Sequence, residues 1–269
     1  MKRVITAAAL IPIVAYVTLA ANYWVFAAVL AAAAFLSYRE YDAIAAAYGF
    51  GAPGPLGYAA GAALLFCDLF PACRGDAWLI LLAAALIAFA FALRADDLAK
   101  ALPRTALLVT GIVYIFGAWK CALGLHGIGP HWLMYALLVS WVGDIGAFYV
   151  GRSFGRHRLA ERVSPKKSWE GAAASVVTAV LIAGAYLVHF VPYVGIAEAI
   201  LLTAAANAAG QLGDLCESAM KRGAGVKDSG AILPGHGGFL DRVDSTLFVM
   251  PLVYGWAIYG SPLLRTQGL

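Results

Sequence analysis

The chain has 269 residues, of which 62% are hydrophobic and only 13% charged. A soluble domain is about a quarter charged, so this chain has too little polar side chain to cover a water-exposed surface, which argues against a soluble enzyme or binding module. The formal net charge of +4 is modest and its distribution matters more than its sum.

The apolar residues fall in long runs, and a helix that crosses a bilayer needs about 20 of them. Nine runs qualify as candidates, at about 4–21, 23–46, 56–73, 77–94, 105–125, 131–150, 171–192, 195–216 and 245–260. The expected fold is therefore all-α, a polytopic integral membrane protein of about nine transmembrane helices. Met-Lys-Arg ahead of the first run would also suit a signal peptide, but no small-residue cleavage site followed by a soluble domain is evident, so an uncleaved first span is expected. In the second run, Tyr38-Arg39-Glu40-Tyr41 reads as an interfacial segment. Gly51-Ala-Pro-Gly-Pro is a turn-rich connection. The abundant Ala and Gly suit close helix packing in lipid. The four cysteines, Cys67, Cys73, Cys121 and Cys216, form no CxxC or metal-ligand spacing.

Nine spans place alternate loops on opposite sides. Sixteen of the 19 Lys and Arg residues then fall on the side of the N-terminus, Arg74 and Arg265 fall on the other, and Lys120 lies inside a span. By the positive-inside rule the N-terminus and both large polar loops are cytoplasmic and the C-terminus is outside. Two regions follow: 1–130, an N-terminal multi-span membrane region, and 131–269, a C-terminal catalytic membrane region with cytoplasmic loops 151–170 and 217–244.

Chemistry concentrates in Gly213–Ser245, GDLCESAMKRGAGVKDSGAILPGHGGFLDRVDS. Ionisable groups at a membrane edge are expensive and point to function. The glycines there suit a loop whose backbone amides approach a ligand, as phosphate-binding loops require. On the approach to it, Asn207, Gln211, Asp214 and Ser218 share one helical stripe. Asn207 and Gln211 fit interhelical hydrogen bonding equally well, whereas the carboxylate of Asp214 demands a cation. Asp241 and Asp244 share the first turn of the ninth run. They are either simple charge complements to a helix N-terminus or, with Asp214, ligands of a divalent cation, for which magnesium is the natural choice beside phosphates. Lys221, Arg222, Lys227 and Arg242 would hold the rest of a polyphosphate. The 151–170 loop is a topology signal that also touches anionic lipid. Lys166, Lys167 and Ser168 just before a helix start make it a candidate anion site as well. His236, between glycines, is either a phosphate donor or a loop-closing hydrogen bond. Asp144 lies six residues inside that basic loop, and an ion pair with Lys120 is its structural alternative.

Ser218-Ala-Met-Lys221-Arg222, Lys227-Asp228-Ser-Gly230, Leu233-Pro234-Gly-His236-Gly237-Gly238-Phe239 and Asp241-Arg242-Val243-Asp244 together resemble the signature of the phosphatidate cytidylyltransferase (CDP-diacylglycerol synthase) family. Asp144–Gly171, with Ser164-Pro-Lys-Lys167-Ser168-Trp-Glu170-Gly171, is similar to it too. The likeness is strong over 140–245; the first 130 residues match only in hydrophobic character. It implies a membrane nucleotidyltransferase that joins CTP and phosphatidate into CDP-diacylglycerol and pyrophosphate, in phospholipid biosynthesis. It also implies a bacterial-type inner membrane, magnesium with a possible second cation, and a homodimer with membrane lipid but no nucleic acid as partners. It places the metal carboxylates at Asp214 and Asp241, with Asp244 close by and Asp144 in a second acidic motif. Ser218, Lys227 and Asp228 fall in the substrate-binding part of the signature. Two rival readings are weaker. A polytopic transporter would show inverted repeats or Gly/Pro-broken helices in matching halves, and neither is seen. A CDP-alcohol phosphotransferase would resemble a DGxxAR pattern followed by spaced aspartates, and that is not found.

The charge asymmetry yields a topology test. A cysteine probe placed near Thr266 should react with an impermeant label added from outside, and one near Arg158 should not. Equal labelling of the two would refute the nine-span arrangement.

Overall fold

The computed structural model describes residues 2–50, 54–70, 77–92, 97–232 and 237–260, with side chains from residue 11 onward. Where the nine apolar runs lie within the described residues, they are mostly helical. The helices are α1 (Lys2–Leu19), α2 (Tyr23–Ala45), α3 (Gly54–Phe66), α4 (Ala77–Ala92), α5 (Ala101–Gly111), α6 (Ala118–Ile128), α7 (Pro130–Phe154), α8 (Trp169–Ala179), α9 (Ala185–Phe190), α10 (Ile196–Gly223) and α11 (Leu240–Gly255). Wider π-type turns at Ile112–Gly117 and Val180–Gly184 join α5 to α6 and α8 to α9.

Among the described residues, three helical stretches are long and apolar enough to cross a membrane: Leu98–Ile128, Pro130–Phe154 and Trp169–Phe190. Gly54–Leu69 and Ala77–Ala92 are apolar but shorter. Two long helices carry polar cargo. α2 bears Arg39, Glu40 and Asp42, and α10 bears Asn207, Gln211, Asp214 and Glu217.

One departure from an all-helical chain lies between α7 and α8. Strands β1 (Arg158–Ala160) and β2 (Ser164–Ser168) form an antiparallel hairpin that pairs Arg158 with Ser168 and Ala160 with Ser164. Pro165 is tolerated because a two-stranded ribbon has only edge strands.

The chain forms two compact units that are not consecutive in sequence. One comprises 1–26, 121–219 and 243–269, the other 27–120 and 220–242.

In the first unit α7 packs against α8, the π-turn, α9 and α1. The approach of α7 to α8 depends on small residues. A methyl group on Gly143 would overlap the Asn207 amide, and one on Gly146 would lie 2.8 Å from Thr178 Cβ and 3.0 Å from the Ala174 carbonyl. Buried polar side chains then tie α10 to both helices. Tyr135 and Thr203 share a hydroxyl hydrogen bond of 2.9 Å. Asn207 donates to Ser175 Oγ at 3.1 Å and to the Val139 carbonyl at 3.4 Å. Gln211 donates to Asn207 Oδ1 at 2.8 Å and to the Ala172 carbonyl at 3.1 Å. Asn207 and Gln211 therefore act as interhelical links.

In the second unit aromatic rings fill notches left by glycines. A methyl on Gly57 would overlap the Tyr38 hydroxyl, one on Gly61 the Phe116 ring, and one on Gly111 the Tyr41 ring. Tyr41 donates its hydroxyl hydrogen to the Leu107 carbonyl at 2.8 Å, which fastens α2 to α5.

Gly146→Ala tests the α7–α8 contact. Alanine gains up to about 1 kcal/mol of helix propensity, but overpacking against a β-branched side chain and a carbonyl costs about 1–3 kcal/mol. The variant should melt at a lower temperature in detergent while keeping its helical circular dichroism. A melting temperature at or above the parent's would show that the helices part freely.

Candidate active site

The first unit gathers acidic groups at one end of α10. Asp214 is half-buried and ion-paired with Lys167, which β2 carries. Ser218 Oγ reaches Asp214 Oδ1 at 3.4 Å from one turn further along. Glu217 is fully buried. Asp144, on α7, is exposed. Asp244 accepts a hydrogen bond from the Ser245 amide at 2.7 Å. Burial raises the pKa of Asp244 well above the ordinary carboxylate value, and the charges of Asp214, Glu217 and Asp144 raise it further. A backbone–backbone approach brings this end of α11 to α10, since a methyl on Gly213 would lie 2.8 Å from the Asp244 carbonyl oxygen.

Carboxylates crowded in this way suit a hard divalent cation, which would let them all remain ionised. As placed, no group of three His, Cys, Asp or Glu side chains converges tightly enough to hold a metal ion among the described residues. The donor chemistry of Asp144, Asp214 and Asp244 fits magnesium, with the Lys167 ammonium already supplying one compensating charge at Asp214.

The hairpin sets the position of Lys167. Ser168, almost fully buried, caps α8 by accepting the Gly171 amide at 3.2 Å. Glu170 closes the other side, taking the amides of Arg156 and His157 at 3.1 and 3.3 Å and meeting the His157 ring at 2.6 Å. Ser168 is thus occupied as a helix cap. Lys166 points to solvent, and so do Arg158 and Arg162.

In the second unit α10 ends in a Schellman arrangement. The Val226 amide bonds the Lys221 carbonyl at 2.9 Å and the Gly225 amide bonds the Arg222 carbonyl at 3.1 Å. Gly225 takes φ +73°, which only glycine adopts freely. Beyond it, Asp241 is 7% exposed and ion-paired with Lys221, itself 10% exposed. Asp241 Oδ2 also accepts the amides of Gly238 at 2.8 Å and Ser229 at 3.0 Å. Burial pushes the pKa of Asp241 up, but Lys221 and these two amides outweigh it and hold the carboxyl below the ordinary value.

Glu40, which the sequence suggests is interfacial, is buried here at 4% exposure. It accepts the Ser229 hydroxyl at 2.7 Å, the Phe239 amide at 2.9 Å and the Leu240 amide at 2.7 Å. The glycines make room for this network. A methyl on Gly238 would overlap Ser229 Oγ and the Glu40 carboxylate, and one on Gly230 would stand 2.6 Å from Glu40 Oε1. Gly237 has φ +79° and no space beside Asp241. These amides are therefore aimed inward at protein carboxylates. The sequence suggests that they face a ligand. The only hint of Glu40's role is an acid set among the aromatic residues of an otherwise apolar helix.

Lys120 finds its anion in Asp68, and its ammonium also lies 3.0 Å from Cys67 Sγ. Arg222, Lys227, Asp228 and Arg242 are exposed, with Arg222 reaching the Val226 carbonyl at 3.1 Å. His236 lies outside the described residues.

Comparison with known proteins adds to this geometry. The chain is 46% identical over 129 residues to a phosphatidate cytidylyltransferase of Bacillus subtilis (strain 168), which covers 47% of each chain. It is 41% identical over 158 residues to one from Staphylococcus haemolyticus (strain JCSC1435), 58% of each chain. It is 44% identical over 124 residues to one from Haemophilus influenzae (strain ATCC 51907 / DSM 11121 / KW20 / Rd), 44% of this chain and 43% of the relative. The chain thus spans about half the length of the curated relatives it matches. The model of the Cytidylyltransferase family matches residues 1–259. That match takes in α2 with its buried Glu40 as well as the charged turns around α10 and α11, and on its extent the chain belongs to the cytidylyltransferase family.

Proposed function

We propose that the protein is a phosphatidate cytidylyltransferase, making CDP-diacylglycerol and pyrophosphate from CTP and phosphatidate. The observation that carries this reading is the pairing of Lys167 with Asp214 beside Asp144, Glu217 and Asp244, a site of mixed charge in a family of cytidylyltransferases. In the reaction a phosphate oxygen of phosphatidate attacks the α-phosphorus of CTP. A new P–O bond forms, the bond from the α-phosphorus to the bridging oxygen breaks, and pyrophosphate leaves with the electron pair. A lipid phosphomonoester is already anionic near neutral pH, its second pKa being about 6 by analogy with phosphoresidues, so little general-base help is needed. What is needed is charge neutralisation and in-line positioning.

Lys167 and Lys166 are assigned to substrate phosphate, at the N-terminal end of α8 that Ser168 caps. The exposed Arg222, Lys227 and Arg242 are assigned to the charge gathering on pyrophosphate, and Ser218, Asp228 and His236 are assigned to substrate binding. Magnesium, with a second cation beside it, would be held by Asp214, Asp244 and Asp144, and would supply charge neutralisation and a template for the phosphates. Lys221 and Asp241, each buried by the other, are assigned to fixing the loop that carries these cations.

The membrane setting is proposed as nine spans with the N-terminus and the active site on the cytoplasmic side. Outward-facing Trp24, Trp78, Leu86, Phe91, Leu181 and Leu201 support it, since an outer face this apolar suits lipid better than water. The protein is proposed to work as a homodimer.

Purified protein incubated with CTP, phosphatidate and magnesium should release CDP-diacylglycerol and pyrophosphate in equal amounts. A protein that melts cooperatively yet releases neither would overturn the reading.

Lys167→Ala should raise the KM for CTP or phosphatidate, or lower kcat, without lowering the melting temperature. Kinetics equal to the parent's would return the 151–170 loop to a purely topological role.

Asp214→Asn and Asp241→Asn should behave differently. Asp214 is half-exposed, so its variant should keep its stability. It should lose about a hundredfold or more in activity, from roughly 3 kcal/mol of transition-state stabilisation, with a weakened magnesium dependence. Asp241→Asn breaks the buried Lys221–Asp241 pair, and breaking a buried pair costs about 3–5 kcal/mol, so both stability and activity should fall. Near-parent activity with the same magnesium optimum in Asp214→Asn would remove that residue from the ligand set.

A further inference from the structure

We infer that Glu40 is a positioning residue, a strut from α2 that fixes the loop between α10 and α11 and, through Ser229, sets the Lys221–Asp241 pair. The inference rests on the proposed function for its kinetic consequence and on the geometry alone for its structural one.

A carboxylate this deeply buried loses several kcal/mol of hydration, which only well-placed donors restore. Glu40 has three donors, and all come from the loop or the first residues of α11. The Phe239 and Leu240 amides belong to the set that a helix N-terminus leaves without intrahelical partners. A carboxylate there gains from the helix dipole as well. Glu40 therefore caps α11 from 200 residues away.

The same carboxylate reaches the ion pair in one further step. Ser229 gives its hydroxyl hydrogen to Glu40 Oε2 and accepts the Asp241 amide at 3.3 Å. The Ser229 amide in turn bonds Asp241 Oδ2. Moving Ser229 moves two of the contacts that aim Asp241, and Lys221 follows the carboxylate. The backbone at Gly238 and Gly230 closes directly over the Glu40 carboxylate. An apolar side chain at position 40 would leave the Phe239 and Leu240 amides buried without partners. A glutamine would turn an NH2 group toward at least one of them.

The test is Glu40→Gln in the full-length protein, read by amide hydrogen exchange and by steady-state kinetics. Exchange at Ser229, Gly238, Phe239 and Leu240 should quicken at least about tenfold, while amides in α7 and α8 keep the parent's rates. In the cytidylyltransferase assay kcat should fall about tenfold or more with the KM for CTP changing less than about threefold, because no substrate contact is removed. Glu40→Asp, which keeps the charge on a shorter arm, should recover part of both. Should Glu40→Gln not fold, Ser229→Ala removes the link between Glu40 and Asp241 and should give the same local pattern more mildly. Parent-like exchange in the loop overturns the strut, and so does faster exchange with an unchanged kcat. If the parent itself makes no CDP-diacylglycerol, the proposed function fails, and the exchange measurement still decides whether Glu40 holds the loop.

Discussion

The charges of Glu40, Asp241 and Lys221 are buried and must be answered from within, because lipid and packed apolar side chains offer no hydrogen bonds. That constraint accounts for more of the structure than any single hydrophobic contact. Glu40 is answered by a hydroxyl and two amides, Asp241 by an ammonium and two amides, and Lys221 by Asp241. The glycines of the loop follow from it. Carboxylates of this size can be wrapped by backbone only where neighbouring residues lack a Cβ, as at Gly230, Gly237 and Gly238. The same logic in neutral form runs through α7, α8 and α10, where Tyr135, Thr203, Asn207 and Gln211 satisfy one another and nearby carbonyls.

The cations divide into two populations by this rule. Lys120, Lys167 and Lys221 are paired to aspartates in the protein. Lys166, Arg158, Arg162, Arg222 and Lys227 lie at the surface. Lys167, half-buried and paired with Asp214, stands between the two.

Much of this was legible in the sequence, and the limits have physical causes. The apolar runs mark where helix forms among the described residues, because hydrophobic length is a local property. Which of them cross a membrane depends on polar residues whose partners lie elsewhere, and α2 and α10 show this best. The stripe of Asn207, Gln211, Asp214 and Ser218 was readable from spacing, and the structure separates its two ends into interhelical links and an ion pair. The β1–β2 hairpin left no signal, since three- and five-residue strands carry too little alternation to stand out. The role of Glu40 does not show in the sequence because its partners begin 189 residues later, and no local pattern marks such a contact. The glycine-rich loop is legible in the sequence, but the direction its amides face is not. Whether an amide meets a ligand or the protein's own carboxylate is decided by what folds over it.

The distance in sequence between Glu40 and the start of α11 bears on how the protein is made. Ribosomes add about 5–20 residues each second, so roughly 10–40 s separate the appearance of this carboxylate from that of the amides that will hold it. For that interval α2 carries an acid with none of its final donors. The residue must wait hydrated, at the water-facing end of its helix, until the later helices arrive. Burial of Glu40 is then a late assembly event, one that marks the moment when the early and late parts of the chain have found each other.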